Sequence, residues 1–413
     1  MTSLPGRRRR NTLLALCAGL VAAVVVPTLV YVGANAITNS TAGKNALENA
    51  PLEQSFPQTP TAMLATVSDT NELTSVTVLV LAPDADESAA VYDQRGGSIV
   101  SVPINVDSGS GGQLLSLHDA YALGGQTELL VDLESDVNLT IDFTAVMKRD
   151  EVAAFLAGLP SVEASLSTDV LGADEAAVFG QGPNTLTAAQ IAQILTSKSP
   201  TQRERLRQAN IEAVWSGVAA AIGKGRDGLT LSAASPTTFA EMATRLMSGP
   251  VASRGLVARP IETALNPEGL DVESLDRPDT ILVFASIAPA QMSRPANGLT
   301  FRIEAPSGYD QQVRKTIGVL LSFGGNVVSV DLNSKPAAET KFLIYDAALA
   351  AVEPTDNPIF GTITVEIPKK IRLGSIDETI VLGTTYLKGV DLSAPDATST
   401  STPASVAPTE TTA

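Results

Sequence analysis

One cysteine and one histidine are all that the 413 residues contain. A disulfide needs two thiols, so Cys17 forms none within the chain, and thiolate metal sites are excluded. His118, standing alone, leaves no histidine-based metal cluster and no spare base for a Ser-His-Asp triad. Aromatic residues make up 4% of the sequence, with a single tryptophan, Trp215. Positive charge is also short. Lys and Arg number 28 against 44 Asp and Glu, a formal net charge of −16. Such a chain repels phosphate backbones, which argues against a nucleic-acid partner. Against these shortages stands enough length for two domains with sizeable cores. The hydrophobic fraction, 44%, is ordinary for globular protein.

Charge and hydropathy are arranged unevenly at the N-terminus. Residues 1–11 carry Arg7, Arg8, Arg9 and Arg10. Residues 12–33 follow as an uncharged apolar run, long enough for one bilayer crossing at about 1.5 Å per residue. Pro27 kinks such a helix without preventing insertion. The arginines place the N-terminus in the cytoplasm and the rest of the chain outside, so the expected location is the plasma membrane, single-pass. Ala34-Asn35-Ala36 resembles a signal-peptidase site, but the apolar run is long for a cleaved leader. Leu14-Ala15-Leu16-Cys17 resembles a lipoprotein box only faintly, since Leu16 stands where a small residue is wanted. Residues 34–61, punctuated by Pro51, Pro57 and Pro60, read as a linker.

The pattern then predicts a first domain over 62–289. Residues 76–81 are β-branched and almost continuously apolar, a strand buried on both faces. Residues 98–103 form a second strand. In 114–143, Ala120, Leu123, Leu129 and Leu130 have helix-like spacing around Gly124-Gly125. Val137, Leu139, Ile141 and Phe143 alternate with polar residues as a strand would. Helices follow over 151–159, from an N-cap at Thr187, over 200–222 ending at Gly223 or Gly225, and over 235–247. Residues 281–285 read as another strand. Gly223-Lys224-Gly225-Arg226 lacks the spacing of a phosphate loop and follows a helix, so it reads as a C-cap. Strands with interleaved helices argue for a layered α/β fold.

After a linker over 290–298, a smaller α+β domain is expected over 299–390. It has a strand at 299–303 and a helix at 309–323 with Val313, Ile317, Leu320 and Leu321 on one face. Strands follow at 327–330, 341–345, 362–365 and 379–383. Residues 391–413, dominated by Thr, Ser, Pro and Ala, are expected to be disordered.

Ala120-Tyr121 with Gly124-Gly125, followed by Asp142-Phe143, resembles the core of the LytR-CpsA-Psr (LCP) family. Ile380-Val381-Leu382-Gly383-Thr384 and the helix leading through Gly324-Gly325 to Val327 resemble the LytR C-terminal domain. The resemblance spans roughly residues 74–289 and 299–385 and is of an actinobacterial type. It implies an enzyme that transfers polyprenyl-pyrophosphate-linked glycopolymers to the bacterial cell wall. Such an enzyme holds the pyrophosphate with arginines and an acid-bound Mg ion.

The charged positions that this chemistry requires depart from the family's pattern. Leu73-Thr74-Ser75-Val76 stands where the family has Arg-Ser-Asp-Thr. Pro103-Ile104-Asn105 stands for Pro-Arg-Asp, with Asp107 two residues displaced. Ser116-Leu117-His118 stands for Lys-x-Asn. Ile194-Leu195-Thr196-Ser197-Lys198 stands for Tyr-x-Arg-x-Arg, and Arg207-Gln208 keeps part of Arg-Gln-Gln. The remnants of a phosphate or lipid site are therefore Asp107, His118, Lys198, Arg203, Arg205 and Arg207. The bland readings are a surface or cap contact for His118 beside Asp119, a solvated helix start with Glu204 for the three arginines, and a core position for Trp215.

A leaving group of several negative charges needs fixed positive charge, and four of the clusters that supply it are lost or weakened together. The sequence thus leans towards a non-catalytic LCP-like protein with no cofactor. It would bind lipid-linked glycopolymer intermediates, peptidoglycan or envelope partner proteins. The rivals are an active Mg-dependent phosphotransferase with relocated charge and a structural wall-binding protein.

Overall fold

The computed structural model describes residues 53–83, 96–109, 113–223, 235–294, 298–368, 372–374 and 376–393. The basic tail, the apolar run with Cys17, most of the first linker, Lys224-Gly225-Arg226 and the Thr/Ser/Pro tail lie outside them almost entirely. Among the described residues, no helix is long and apolar enough to cross a membrane. The described residues between Gln54 and Pro368, with those from Leu373 onwards, belong to one compact unit.

The first sheet opens with three antiparallel strands, β1 (Thr61–Val67), β2 (Leu73–Leu81) and β3 (Gly97–Val102). Every residue of β2 is buried, as its unbroken apolar and β-branched run requires. β1 was not expected as a strand. Its Ala and Met weaken the β signal, and pairing with β2 along its whole length overrides that preference. Helix α1 (Leu117–Val137) then crosses over to β4 (Phe143–Met147), parallel to β1.

Residues 137–143 are not the expected strand. Val137 ends α1, and Asn138 closes it in the left-handed region at φ 54°. Glu134 Oε1 accepts the N–H of Ile141 at 2.7 Å, and β4 begins only at Phe143. Val137, Leu139 and Ile141 are buried, so the alternation recorded burial of a connection rather than a pleat.

Helices α2 (Arg149–Phe155), α3 (Ala188–Thr196), α4 (Glu204–Ile222) and α5 (Phe239–Met247) follow. Thr187 caps α3 as expected, in a reciprocal box with Gln190. Gly223 ends α4 at φ 59°. The strand β5 (Val251–Gly255) returns parallel to β3, giving the order β5-β3-β2-β1-β4.

Period-2 alternation sends alternate side chains to opposite faces of this sheet. Ala62, Leu64, Leu79 and Leu81 pack with Trp215 and the α2–α5 layer. Met63, Ala65, Val78 and Val100 face α1 and α6 (Arg277–Ile287). The sheet therefore lies between two helical layers.

Residues 281–285 belong to helix α6, not to a strand. Asp276 is its N-cap, its side chain accepting the N–H of Asp279, and Pro278 sits in the first turn. The segment from Thr280 to Ala285 is buried on all sides, so no polar residue reveals the helical period.

Beyond it lies a second sheet, built of β6 (Thr300–Glu304), β7 (Asn326–Asp331), β8 (Thr340–Ile344), β9 (Gly361–Glu366) and β10 (Glu378–Val381). Its order is β7-β6-β10-β8-β9, with the short strand Asp356–Asn357 at the edge. Helix α7 (Asp310–Ser322) joins β6 to β7 and buries Val313, Ile317 and Leu320 on the expected face. The elements at Ala347–Val352 and Thr384–Gly389 are short helices that the periodicity did not announce.

Candidate functional site

One end of the first sheet gathers the turn between β1 and β2, the segment after β3, the N-terminus of α1 and the link from α3 to α4. A cleft of about 660 Å³ opens there. His118 and Lys198 line it, so the structure brings these two predicted residues together. Asn105, Ser116, Asp119 and Glu204 join them in its wall. Glu72 and Asp271 stand exposed beside them.

The α1 terminus is held by local chemistry. Ser116 accepts the N–H of Asp119 at 3.2 Å, while Asp119 Oδ2 takes the Ser116 N–H at 3.0 Å. The Ser116 hydroxyl also donates to Asp119 Oδ2 at 2.7 Å. Burial pushes the Asp119 carboxyl up, but the two Ser116 contacts and His118 outweigh it and hold the group below its ordinary value. His118 Nδ1 stands 3.6 Å from Asp119 Oδ1, which fits the cap contact expected from the sequence.

Lys198 is half-buried at the end of α3. Burial pulls its ammonium below the ordinary lysine value, the Glu204 carboxylate opposes that, and the Arg207 guanidinium adds to it. No hydrogen bond or ion pair engages Lys198 among the described residues.

Asp107 lies at the base of the α1 loop. Its Oδ1 accepts the N–H groups of Gly109 and Leu115, both at 3.1 Å. It does not line the cleft, nor do Arg203, Arg205 and Arg207. The solvated helix surface holds for Arg203 and Arg205, which are exposed. It fails for Arg207, which is 3% exposed.

Arg207 lies one helical turn after Glu204, and the two form a bidentate pair. Nε donates to Glu204 Oε2 at 2.9 Å, and Nη2 donates to Oε1 at 2.7 Å. The remaining donors reach the carbonyls of Ser197 and Thr74. This fork-to-fork geometry is the one an arginine uses to hold a phosphate. Here a carboxylate of the same helix occupies it.

Asn105 was not singled out by the sequence as a site residue. It is 4% exposed, and neither Nδ2 nor Oδ1 has a hydrogen-bond partner. The Glu273 carboxylate, raised by burial, is drawn back by Arg205 and by the neighbouring Asn105 amide. The two side chains do not meet in hydrogen-bond geometry. The only signal in sequence was that Asn105 replaces a charged residue of the motif it resembles.

No protein-family model matches the chain. No curated protein matches it either. Solved structures do. The chain is similar to Bacillus subtilis TagV at 9% identity, covering 55% of this chain and 94% of that one, with a TM-score of 0.37. It is similar to Bacillus subtilis TagT at 14% identity, 55% and 88% coverage, and a TM-score of 0.34. A third match is the LytR-CPS2A-psr family protein YwtF (TagT) with bound octaprenyl pyrophosphate lipid. It has 13% identity, 54% and 86% coverage, and a TM-score of 0.35.

Proposed function

We propose that this is a membrane-anchored extracytoplasmic protein of LCP-like design that binds rather than transfers. Its work would lie in cell-envelope glycopolymer assembly, through lipid-linked intermediates or partner proteins. Residues 62–289 form the LCP-like domain in this reading, and 299–390 the LytR C-terminal-like domain. The observation that carries it is the Glu204–Arg207 pair. The one buried arginine of the expected cluster is already neutralised by a bidentate carboxylate. An open pyrophosphate site would instead keep its guanidinium facing the ligand.

The walls of the cleft support the same reading. Glu72, Asp119 and Asp271 stand in or beside the wall that Lys198 and His118 line, while Glu204 is already paired with Arg207. A polyanion brought into that field meets repulsion from most of its neighbours. Asp107, which a relocated metal site would need, has one carboxylate oxygen engaged by two backbone donors. The proposed action uses no magnesium.

The test uses the full chain in detergent, mixed with a polyprenyl-pyrophosphate analogue with and without magnesium, while Tm is followed. A magnesium-independent rise is the expected result. A magnesium-dependent rise, together with glycan transfer to peptidoglycan fragments, would restore the transferase reading and overturn ours. No shift would move the role to partner proteins or the wall itself.

A further inference from the structure

Away from the cleft, a smaller cavity of about 270 Å³ opens where the end of α1, the start of α6 and the turn from α7 to β7 meet. Arg277 and Arg294 line it together with Asn138, Ser293 and Asn326, and none of its lining residues is acidic. In a chain with 44 acids against 28 bases, that is an unusual concentration of one sign. Neither arginine is engaged by a carboxylate in an ion pair among the described residues. Asp136 feels the field of Arg277, but burial and then Asp132 and Asp107 push its carboxyl up to about 8. It is therefore mostly protonated at neutral pH and leaves the arginine's charge uncancelled.

Apolar groups stand exposed beside this charge. Phe323, at the C-terminus of α7, is 75% exposed, and Leu299 is 39% exposed. They flank Asn326 of the cavity wall: Phe323 precedes it by one turn of chain, and the Leu299 carbonyl accepts its N–H at 3.0 Å. Arginines next to an exposed phenylalanine and leucine match the interface of a bilayer, where phosphates lie just outside the acyl chains.

The path of the chain points the same way. The Arg294 guanidinium lies 5.7 Å over the ring of Phe56, which is buried. Phe56 follows the apolar run ending at residue 33 by roughly twenty residues, a length that bridges about 25 Å on average. The face carrying Arg294 is thus the one that the anchor approaches. With a net charge of −16, most of the remaining surface is repelled by an anionic bilayer, so this face is selected.

We propose that this face docks on the bilayer, with the phosphate of an anionic phospholipid headgroup on Arg277 and Arg294 and with Phe323 and Leu299 in the interface. This rests on the reading of the chain as membrane-anchored. It is independent of what the cleft binds.

The test reconstitutes the full chain into vesicles of phosphatidylglycerol or phosphatidylcholine, both with brominated acyl chains that quench nearby tryptophan. Trp215, fully buried, supplies a constant background. The Phe323→Trp variant should be quenched and blue-shifted in phosphatidylglycerol and much less in phosphatidylcholine. The control is Val352→Trp, a position equally exposed at 75% but set against β8, away from β7. It should stay unquenched. Adding Arg277→Gln or Arg294→Gln to Phe323→Trp should weaken docking about fivefold each. Salt at about 1 M should release the face while the anchor stays inserted. No quenching in Phe323→Trp beyond the parent chain, equal quenching in Val352→Trp, or docking unchanged by both arginine variants would each overturn the proposal. Flotation separates this failure from that of the anchor. A chain that floats with the vesicles but shows no quenching in Phe323→Trp refutes the docking alone, whereas a chain that does not float refutes the anchored reading and the docking together.

Discussion

A single residue, Arg207, holds most of the difference between a phosphate clamp and a sealed helix. It reaches Glu204, the Ser197 carbonyl and the Thr74 carbonyl from a buried position. Removing one partner of such a pair leaves an uncompensated buried charge, which costs about 3–5 kcal/mol. Arg207→Met should lower stability by that order in urea denaturation. The double variant Glu204→Leu with Arg207→Met should recover most of it, because an apolar pair needs no compensation. Purely additive losses would show that the pair is not coupled. Two other acids make stability depend on pH. Burial, then Asp132 and Asp107, push Asp136 up to about 8, against a weaker pull from Arg277. Burial, then Glu353 and Asp377, push Glu378 up to about 7. In each case the folded state holds a proton that the unfolded chain has released above the ordinary carboxylate range. Stability is therefore greatest at low pH and falls as pH rises, levelling off near 7 for Glu378 and near 8 for Asp136. The slope should approach about 1.4 kcal/mol per pH unit for each group. Asp136→Asn should flatten the part between pH 7 and 8. An unchanged profile in that variant would assign the effect elsewhere.

At the scale of elements, local chemistry was legible and burial was not. The Thr187 cap, the Gly223 stop and the amphipathic face of α7 were readable because each rests on residues close in sequence. Helix α6 was misread because its residues are apolar on every side, which makes helix and strand periods look alike. Strand β1 was missed for the opposite reason: its identity comes from pairing with β2 and β4, not from its own propensities. The cleft divided along the same line. His118 and Lys198 were named from motif positions, whereas the Glu204–Arg207 pair and the orphaned Asn105 depend on packing that no spacing records. Helix α1 shows how one glycine can be decisive. Gly125 interrupts it at φ 64° and ψ −147°, a region that side chains rarely enter. Gly125→Ala should cost about 1–3 kcal/mol despite the open space around its Cα. Gly124→Ala would set its Cβ 2.5 Å from the Glu128 Cβ, an atom the backbone fixes, so crowding should outweigh its gain in helix propensity and lower stability by about 1–3 kcal/mol. Thermal melts followed by circular dichroism measure both losses. A stabilised Gly125→Ala would mean that the helix does not break there in solution.

At the scale of the whole molecule, α6 is the shared element. Its residues Ile281, Leu282, Val283 and Phe284 belong to one continuous core with Val78 and Val100 of the first sheet and Val328 and Ile380 of the second. Its N-cap ties the two sheets' surroundings electrostatically as well. Asp276, 5% exposed, meets Arg259 at 2.6 Å and also pairs with Arg314 of α7. Two regions that share a helix and a buried carboxylate cannot unfold independently without exposing one or stranding the other. Calorimetry of residues 53–393 should thus show one cooperative transition rather than two. Asp276→Ala should lower that transition by removing a cap and leaving Arg314 near an apolar helix, a loss of about 3 kcal/mol. Asp276→Asn keeps the capping oxygen but not the charge, so it should recover only the cap's share of about 1 kcal/mol. If the wild-type chain melts in two separated steps, and Asp276→Ala moves only one of them, the core is not continuous in energy although it is continuous in space. If a single step shifts as a whole, α6 couples the cleft region to the second sheet. A ligand bound at the cleft would then stabilise both.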